Sequence, residues 1–317
     1  MKKDAKILIV GHNDVMERTL VSYLAENGYQ NVRSSTEKNL NVLVQNRVNQ
    51  FFKENYPQFV FLCSIRSGGI GANQKYPAEF LYQNIMGQSN VIHAAYKHGV
   101  EKLIYFSGSC AYPKENPQPI TEDRLLIGAL EETSEAYSIS KIAGIKMCQA
   151  YKNQYGFNAI VAVPSTVYGP GSSMDQQTSH VIDALICKFH EAKEKNQSKV
   201  TVWGTGEPKR EFLFADDFAS GALFLMEKYD DTEIINMGCG YDVSIKELAR
   251  MIADIVEFNG EIVFDSHKPD GTMQKLLDNS RILQMGWKPK VGLAEGIKKT
   301  YEWYTKTQAD KDTKTQK

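Results

Sequence analysis

Short, unbroken apolar segments alternate with amphipathic stretches along the first half of the chain. The apolar segments are typical of strands that are buried on both faces of a sheet. They are KILIV (6–10), FVFLC (59–63), KLIYF (102–106) and AIVAV (159–163). The amphipathic stretches between them predict helices near 15–27, 42–54, 78–98 and 133–155. This alternation predicts an α/β fold with a parallel, doubly wound sheet and right-handed crossovers.

The pattern changes after Pro164. A loop rich in glycine and proline, STVYGPGSS, precedes a predicted helix near 179–194. The short apolar segments KVTVW, EIINM and EIVFD then alternate with helical stretches, which predicts a second, smaller lobe. We therefore expect a Rossmann domain of the dinucleotide-binding type and a mixed α/β substrate-binding lobe. The expected bounds are 1–170 with a returning segment near 212–240 for the first, 171–211 and 241–305 for the second, and 306–317 for a disordered tail.

Composition narrows the class of protein. The 317 residues can bury a full core, and a net charge of −1 with 42% hydrophobic residues is ordinary for a globular protein. The chain has no excess of basic residues that would indicate nucleic-acid binding. No apolar run is long enough for a membrane span or a signal peptide. The five cysteines are scattered without a CxxC pair, which is typical of reduced cytosolic thiols and not of a disulfide framework or a zinc site. We expect a cytoplasmic protein without a metal.

Small residues gather at four of the predicted strand ends. A doubly wound sheet binds its ligand beyond the carboxyl ends of its strands, so these four loops are expected to outline one crevice. They are GHNDVME after the strand at 6–10, CSIRSGGIGAN at the end of the strand at 59–63, SGSCAYP after the strand at 102–106 and PSTVYGPG after the strand at 159–163.

The stretch EAYSISK carries candidate chemistry. Tyr137 and Lys141 are four residues apart on a predicted helix and therefore share one of its faces. A lysine cation beside a phenol stabilises the phenolate, so we expect Lys141 to lower the pKa of Tyr137 toward a range useful for proton transfer. A surface Tyr–Lys pair is the alternative. The position of the pair, at the start of the helix after the fourth strand's loop, favours catalysis.

Longer stretches carry a resemblance to a known family. They are GGIGANQKYPAEFLYQN, SCAYP, YSISKIAGIKMC, SHVIDAL, VWGTGEPKREFLFADD and KPDGTMQKLLD. On these stretches the chain resembles the extended short-chain dehydrogenases/reductases that act on nucleotide sugars, and among them the GDP-L-fucose synthases, which are GDP-4-keto-6-deoxymannose 3,5-epimerase–4-reductases. The resemblance runs from the first strand to about residue 305. It implies an oxidoreductase and isomerase that uses NADP, with NAD as the alternative, binds a GDP-sugar and forms a homodimer through two helices.

The resemblance also implies catalytic roles. Cys110 and His180 match the positions that exchange protons at C3 and C5 of the sugar, and a thiol and an imidazole suit proton exchange near neutral pH. Tyr137 would protonate the oxygen at C4 during reduction by the nicotinamide, and Lys141 would also hold the nicotinamide ribose. The alternatives are a small buried hydrophobe for Cys110 and a helix cap for His180.

Binding residues follow from the same resemblance. Lys188, Trp203, Arg210 and Asp270 match positions that hold the GDP-sugar, with cations for the diphosphate, a ring beside it and a carboxylate for hydroxyls or amines. A solvated helix face is the alternative for Lys188. The implied cofactor-binding positions are Gly11, His12, Asn13, Asp14, Val15, Met16, Arg33, Ser107, Gly108, Lys141, Pro164, Ser165, Thr166, Val167 and His180.

Two motifs depart from the family pattern at catalytically important positions. Gly108 stands where the family has a serine that hydrogen-bonds the C4 oxygen. Ser107 and Ser109 are the candidates to replace it, although a neighbouring residue normally points elsewhere. Asp14 and Glu17 stand where the dinucleotide-binding turn has its second and third glycines.

A third departure concerns the choice of cofactor. Ser35 stands where the family has an arginine for the 2′-phosphate of NADP, with Arg33 and Lys38 as substitutes.

The altered turn bears on how tightly the cofactor binds. Asp14 at a helix N-terminus would repel the cofactor's diphosphate, and Glu17 would tilt the helix outward or point to solvent. We therefore expect an intact fold that binds NAD(P)H weakly. Replacing both acidic residues with glycine should tighten binding, at a helix cost of about 1 kcal/mol per glycine.

Three hypotheses about function follow. The first is a reductase or epimerase–reductase of a GDP-4-keto sugar. The second is an epimerase that has kept the chemistry of Cys110 and His180 without effective hydride transfer. The third is a non-catalytic homologue that binds a sugar nucleotide or regulates a partner.

Overall fold

The computed structural model describes residues 1–11, 14–35, 40–176 and 179–315, with side chains described up to residue 309. In this part of the chain the strands are β1 (Lys6–Val10), β2 (Asn31–Ser34), β3 (Phe59–Leu62), β4 (Lys102–Phe106), β5 (Ala159–Pro164), β6 (Thr166–Tyr168), β7 (Lys199–Trp203), β8 (Lys209–Arg210), β9 (Phe212–Phe214), β10 (Ile235–Met237), β11 (Val243–Ser244), β12 (Glu261–Asp265) and β13 (Gln274–Lys275). The helices are α1 (Val15–Glu26), α2 (Gln45–Asn55), α3 (Ile70–Lys75), α4 (Pro77–Lys97), α5 (Glu135–Tyr155), α6 (Val181–Glu194), α7 (Ala215–Lys228), α8 (Ile245–Val256), α9 (Ser280–Gln284) and α10 (Leu293–Thr315).

The central sheet has six parallel strands in the order β2-β1-β3-β4-β5-β10. Every residue of β4 and β5 is buried, which is why these strands are continuous apolar runs in the sequence. Helices α1 and α7 pack on one face of the sheet, and α2, α4 and α5 pack on the other. The predicted α/β fold with a doubly wound parallel sheet is confirmed.

A smaller mixed α/β region follows. Helices α6, α8 and α10 share an apolar core with β7, and β7 pairs with β12 in parallel. A three-stranded sheet has the order β11-β8-β13, in which β11 is antiparallel and β13 parallel to β8. The predicted smaller lobe of mixed sheets is therefore confirmed, while the bounds of the two domains stay a prediction.

The chain end differs from the expectation. Helix α10 continues to Thr315, so the prediction of a disordered tail from residue 306 is wrong as far as that residue. The reason is local: no glycine or proline follows Gly296, so nothing in this segment interrupts the helix. The absence of apolar periodicity in this segment does not by itself exclude a helix, because periodicity reports a buried face and not helix formation.

The helices, the cysteines and the groups of possible metal ligands add three observations about the molecule. None of the helices in the described ranges is long and apolar enough to cross a membrane. All five cysteines carry free thiols. Among the described residues, no group of three or more His, Cys, Asp or Glu side chains is arranged to hold a metal ion.

Candidate active site

A cavity of about 750 Å³ opens at the carboxyl ends of β1, β3, β4 and β5 and extends to α6, β7 and β8. Each of the four strand-end loops noted in the sequence contributes to its lining. The expected site residues that line it are Asp14, Val15, Met16, Ser107, Gly108, Ser109, Cys110, Tyr137, Pro164, Ser165, Thr166, Val167, His180, Lys188, Trp203, Arg210 and Asp270.

The remaining expected residues lie elsewhere. Lys141 is buried behind the wall of the cavity, and Gly11 lies in the turn beneath it. Arg33 is exposed on edge strand β2 and lies with residues of α2 in a separate shallow groove, because successive side chains of a strand point to opposite faces. His12, Asn13 and Lys38 fall outside the described residues.

Helix α5 places Tyr137 and Lys141 at the end of β4. Tyr137 lies in the first turn of the helix, and its ring packs edge-on against Phe80 of α4 with 5.7 Å between ring centres. Lys141 lies one turn later and is fully buried. Its Nζ donates to the carbonyl oxygen of Phe106 at 2.9 Å and lies 5.6 Å from the centre of the Tyr137 ring. The four-residue spacing therefore brings both side chains to one site.

The effect of Lys141 on the phenol is not the one expected. Burial raises the pKa of Tyr137 well above its ordinary value, Cys110 acts in the same direction, and a hydrogen bond with Ser64 opposes them. The expectation of a lowered pKa is therefore wrong for this structure. The physical reason is burial, which disfavours both charged forms and lowers the pKa of Lys141 to about 8.

Ser64 contacts Tyr137, and the sequence reasoning missed it. The Ser64 Oγ lies 2.9 Å from the Tyr137 Oη, and Ser64 is buried. Of the two serines expected to replace the one missing at position 108, Ser107 has a buried hydroxyl without a hydrogen-bond partner in the described part of the chain. Ser109 lies in a short 3₁₀ turn that lines the cavity. Ser64 could have been found as a small polar residue directly after β3, at the edge of the sheet where ligands bind.

Cys110 and His180 line the cavity from different elements. Cys110 lies in the turn after β4 and is partly exposed. His180 stands at the N-cap position of α6, but its side chain makes no capping hydrogen bond, so the helix-cap alternative has no support here. Burial lowers the pKa of His180, while the charge of Asp14 opposes this shift. A neutral imidazole can accept a proton near neutral pH.

The far end of the cavity carries cations and an aromatic ring. Arg210 donates from Nη2 to the backbone carbonyl of Asp270 at 3.2 Å, and burial lowers the pKa of Arg210 to about 10. Lys188 places its Nζ 5.6 Å from the centre of the Trp203 ring. The carboxylate of Asp270 accepts the backbone N–H of Thr205 at 2.7 Å and its hydroxyl at 2.9 Å. The two cations suit a diphosphate, and the Asp270 carboxylate holds the adjoining loop.

The N-terminus of α1 is capped by Asp14. One carboxylate oxygen accepts the backbone N–H of Met16 at 3.1 Å and that of Glu17 at 3.2 Å. The other accepts the hydroxyl of Ser67 at 3.2 Å. Unpaired N–H groups at a helix N-terminus are what a bound phosphate normally uses. At this helix the protein's own carboxylate already bonds two of them.

Glu17 is buried and does not point to solvent, so that alternative is wrong. Its side chain is only 1% exposed and accepts hydrogen bonds from the hydroxyls of Ser34 and Ser35. The Ser35 Oγ also accepts the backbone N–H of Gly11 at 3.1 Å. A Cβ atom added to Gly11 would lie 3.0 Å from the Glu17 side chain, which shows how closely the carboxylate lies under the turn.

Comparison with known proteins gives the family. Residues 7–238 match the model described as the NAD dependent epimerase/dehydratase family. The chain belongs to this family. It is therefore an NAD(P)-dependent enzyme of the nucleotide-sugar epimerase and reductase type, and the relationship inferred from the sequence is confirmed.

Individual relatives agree along nearly the whole chain. GDP-L-fucose synthase 1 of Arabidopsis thaliana is 46% identical over 304 residues, covering 96% of this chain and 94% of the relative. A solved GDP-6-OMe-4-keto-L-xylo-heptose reductase from C. jejuni is 37% identical, with a TM-score of 0.91 over 97% of this chain and 99% of that one. A GDP-mannoheptose C4 reductase from Campylobacter jejuni, solved with NADP bound, is 38% identical with a TM-score of 0.88 over 96% and 99%.

The lining of the cavity has polar groups that a bound cofactor could satisfy. The buried hydroxyls of Ser107 and Ser165 line it and have no hydrogen-bond partner among the described residues, so a ligand with donors and acceptors would satisfy them. The N-terminus of α1 suits a diphosphate less well, because Asp14 already caps it. Arg18 also lines the cavity and donates to the carbonyl of Gly171 at 3.2 Å, and its guanidinium is a group that binds phosphates well.

Proposed function

We propose that this chain is an epimerase–reductase of a GDP-4-keto-6-deoxy-hexose. The observation that carries the proposal is that groups for three tasks line one cavity. Cys110 and His180 can exchange protons, Tyr137 can donate one, and Arg210 with Lys188 can bind a diphosphate. A GDP-sugar bound at the cationic end would extend toward the other three side chains.

Epimerisation relies on the acidity that the C4 ketone confers on the C3 and C5 protons. One side chain removes such a proton, and the other returns a proton to the opposite face of the ring. Burial lowers the pKa of His180, so its imidazole is neutral near pH 7 and can act as the base. Cys110 supplies the thiol.

Reduction uses the nicotinamide end of the cavity. NADPH, when bound, supplies the hydride to C4. Tyr137 donates its phenolic proton to the C4 oxygen, and the raised pKa of Tyr137 keeps the phenol protonated until that step. Ser107 and Ser165 would hold the nicotinamide amide and ribose. Lys141 would contact the ribose once its Nζ turns from the Phe106 carbonyl, because it does not line the cavity in this structure.

A second candidate is a C4 reductase that does not epimerise. It is favoured by the names of the two Campylobacter relatives, which are reductases of GDP-heptoses and match 96–97% of this chain. Cys110 and His180 would then orient the sugar without exchanging protons.

One experiment separates the candidates. The purified protein is incubated with GDP-4-keto-6-deoxymannose and NADPH in D₂O; NADPH absorbance reports reduction, and mass spectrometry reports deuterium at C3 and C5. We expect both signals. Reduction without deuterium indicates the C4 reductase, and deuterium without NADPH consumption indicates an epimerase that lacks hydride transfer. Neither signal, with GDP still bound, indicates a binding protein.

Cofactor choice, assembly and location complete the proposal. We propose NADP as the cofactor, supported by the NADP-bound relative, and expect a higher kcat/KM for NADPH than for NADH. We also propose a cytoplasmic homodimer. Light scattering coupled to size exclusion would give twice the chain mass of 35.7 kDa.

A further inference from the structure

Position 108 lacks the serine side chain that the family pattern has there. Gly108 has no side chain, whereas the related enzymes are expected to carry a serine hydroxyl there. Across the cavity wall, the Oγ of Ser64 lies 2.9 Å from the Oη of Tyr137. The hydroxyl that contacts the phenol therefore comes from the loop after β3, not from the loop after β4.

The sheet brings these two loops together. Strands β3 and β4 are parallel neighbours, and Leu62 pairs with Tyr105. Ser64 lies two residues after Leu62, and Ser107 lies two residues after Tyr105 and directly before Gly108. Ser64 thus leaves the sheet beside the position where the serine is missing.

Helix α4 holds the loop after Ser64 in place. The Asn84 side chain accepts the backbone N–H groups of Ile65 at 3.0 Å and Arg66 at 3.1 Å, and donates to the carbonyl of Arg66 at 3.0 Å. Gly87 lies so close to Ile65 that an added Cβ would be 2.7 Å from its Cγ1. These contacts fix the backbone next to Ser64, so its hydroxyl is positioned before any ligand binds.

We propose that Ser64 compensates for the serine missing at position 108. It does not contact the C4 oxygen itself but hydrogen-bonds Tyr137 during reduction. This inference rests on the proposed reduction at C4. When Tyr137 gives its proton to the C4 oxygen, a new O–H bond forms and Tyr137 becomes a phenolate. Ser64 then donates a hydrogen bond to the phenolate oxygen without breaking its own O–H bond, and the phenol later regains a proton from water. Ser64 is a positioning residue that acts through Tyr137.

The structure also has room for a Cβ atom at position 108, so the serine can be restored by mutation. Gly108 has extended backbone angles, φ −168° and ψ 159°, which any residue adopts. A Cβ added there would meet its nearest neighbour, the Cys110 Sγ, at 3.7 Å, an ordinary van der Waals contact. The backbone at position 108 therefore accepts the Cβ of a serine without displacing its surroundings.

The test compares Ser64→Ala, Gly108→Ser and the double variant in the reduction assay. We expect Ser64→Ala to lower kcat for NADPH oxidation about 10- to 100-fold, the effect of losing one hydrogen bond to a developing charge. The KM for the GDP-sugar and the deuterium exchange at C3 and C5 should stay near wild type. Adding Gly108→Ser should restore most of kcat, and Ser64→Thr, which keeps a hydroxyl, should retain it.

Ser138→Ala is the matched control, because it removes a fully buried hydroxyl next to Tyr137 that donates to the carbonyl of Ser134. Its kcat should match wild type. An undiminished kcat in Ser64→Ala, or a failure of Gly108→Ser to restore activity, would overturn the role of Ser64. Absence of NADPH oxidation in the wild type would instead reject the proposed reduction and Ser64's role with it.

Discussion

At Tyr137, burial and hydrogen bonding act on the phenol in opposite directions. Burial and Cys110 raise the pKa of Tyr137, and the contact with Ser64 lowers it. The spacing of Tyr137 and Lys141 was enough to predict that they share a helix face. The partner Ser64 could not be predicted in the same way, because 73 residues separate it from Tyr137 and only the sheet brings them together.

Replacing Tyr137 with phenylalanine should abolish reduction but not epimerisation. The hydroxyl is used mainly in the transition state, where general acid catalysis contributes about 10²- to 10⁴-fold. NADPH oxidation measured in the steady state should therefore fall by that factor, while the Kd for GDP measured by calorimetry stays close to wild type. Unchanged NADPH turnover in the Tyr137→Phe protein would remove this side chain from the mechanism.

Cys110→Ser and His180→Gln should give the opposite pattern. Each variant removes one partner of the proton exchange, so deuterium incorporation at C3 and C5 should be suppressed. Binding of GDP should be unaffected, because the cations at the far end of the cavity are intact. Mass spectrometry of the sugar after incubation in D₂O makes the measurement. Full exchange in both variants would leave the C4 reductase as the better assignment.

At the scale of an element, the cap on the N-terminus of α1 is the basis for the prediction that NAD(P)H binds weakly. Asp14 is the N-cap residue of α1, where a glycine would cost only a few tenths of a kcal/mol. Glu17 lies inside the helix, where a glycine would cost about 1 kcal/mol. The sequence indicated an altered turn. It did not show that Glu17 folds under the turn toward Ser34 and Ser35, since that depends on how α1 packs beside β2.

Asp14→Asn isolates the charge from the cap. Asparagine caps helices as well as aspartate, so the stability of α1 should be retained while the repulsion of the diphosphate is removed. Two like charges about 4 Å apart repel each other by about 1 kcal/mol in water, so the Kd for NADPH should tighten about fivefold. Calorimetry with NADPH measures the change, and GDP serves as a control ligand. If wild type binds NADPH tightly and the variant gains nothing, other groups such as Arg18 hold the diphosphate.

For the whole molecule, the buried face of α6 links stability to pH. Burial raises the pKa of Asp183 to about 8 from its ordinary value of 3.8, and its Oδ1 has no hydrogen-bond partner in the described ranges. Between about pH 4 and pH 8 the native state keeps this proton and the unfolded state has lost it. The contribution of Asp183 to stability therefore falls as pH rises through this window.

Asp183→Asn cannot ionise and should remove that dependence. We expect the difference in unfolding free energy between variant and wild type to grow in favour of the variant from pH 5 to pH 8, on the order of a few kcal/mol, and then to level off. Denaturant unfolding at several pH values measures it. Parallel stability curves for the two proteins would show that Asp183 is ionised in the native state.

The sequence by itself determined the parallel sheet, its buried strands and the loops that outline the cavity, because hydrophobic periodicity and small residues at strand ends are local properties. The order of the strands in the sheet came from the structure. It also placed Tyr137 beside Lys141 on one helix face. Only the tertiary structure decided that Ser64 reaches Tyr137, that Glu17 is buried, and that burial raises the pKa of the phenol. Each of these depends on groups distant in sequence that meet at one edge of the sheet, where packing sets both contact and solvation.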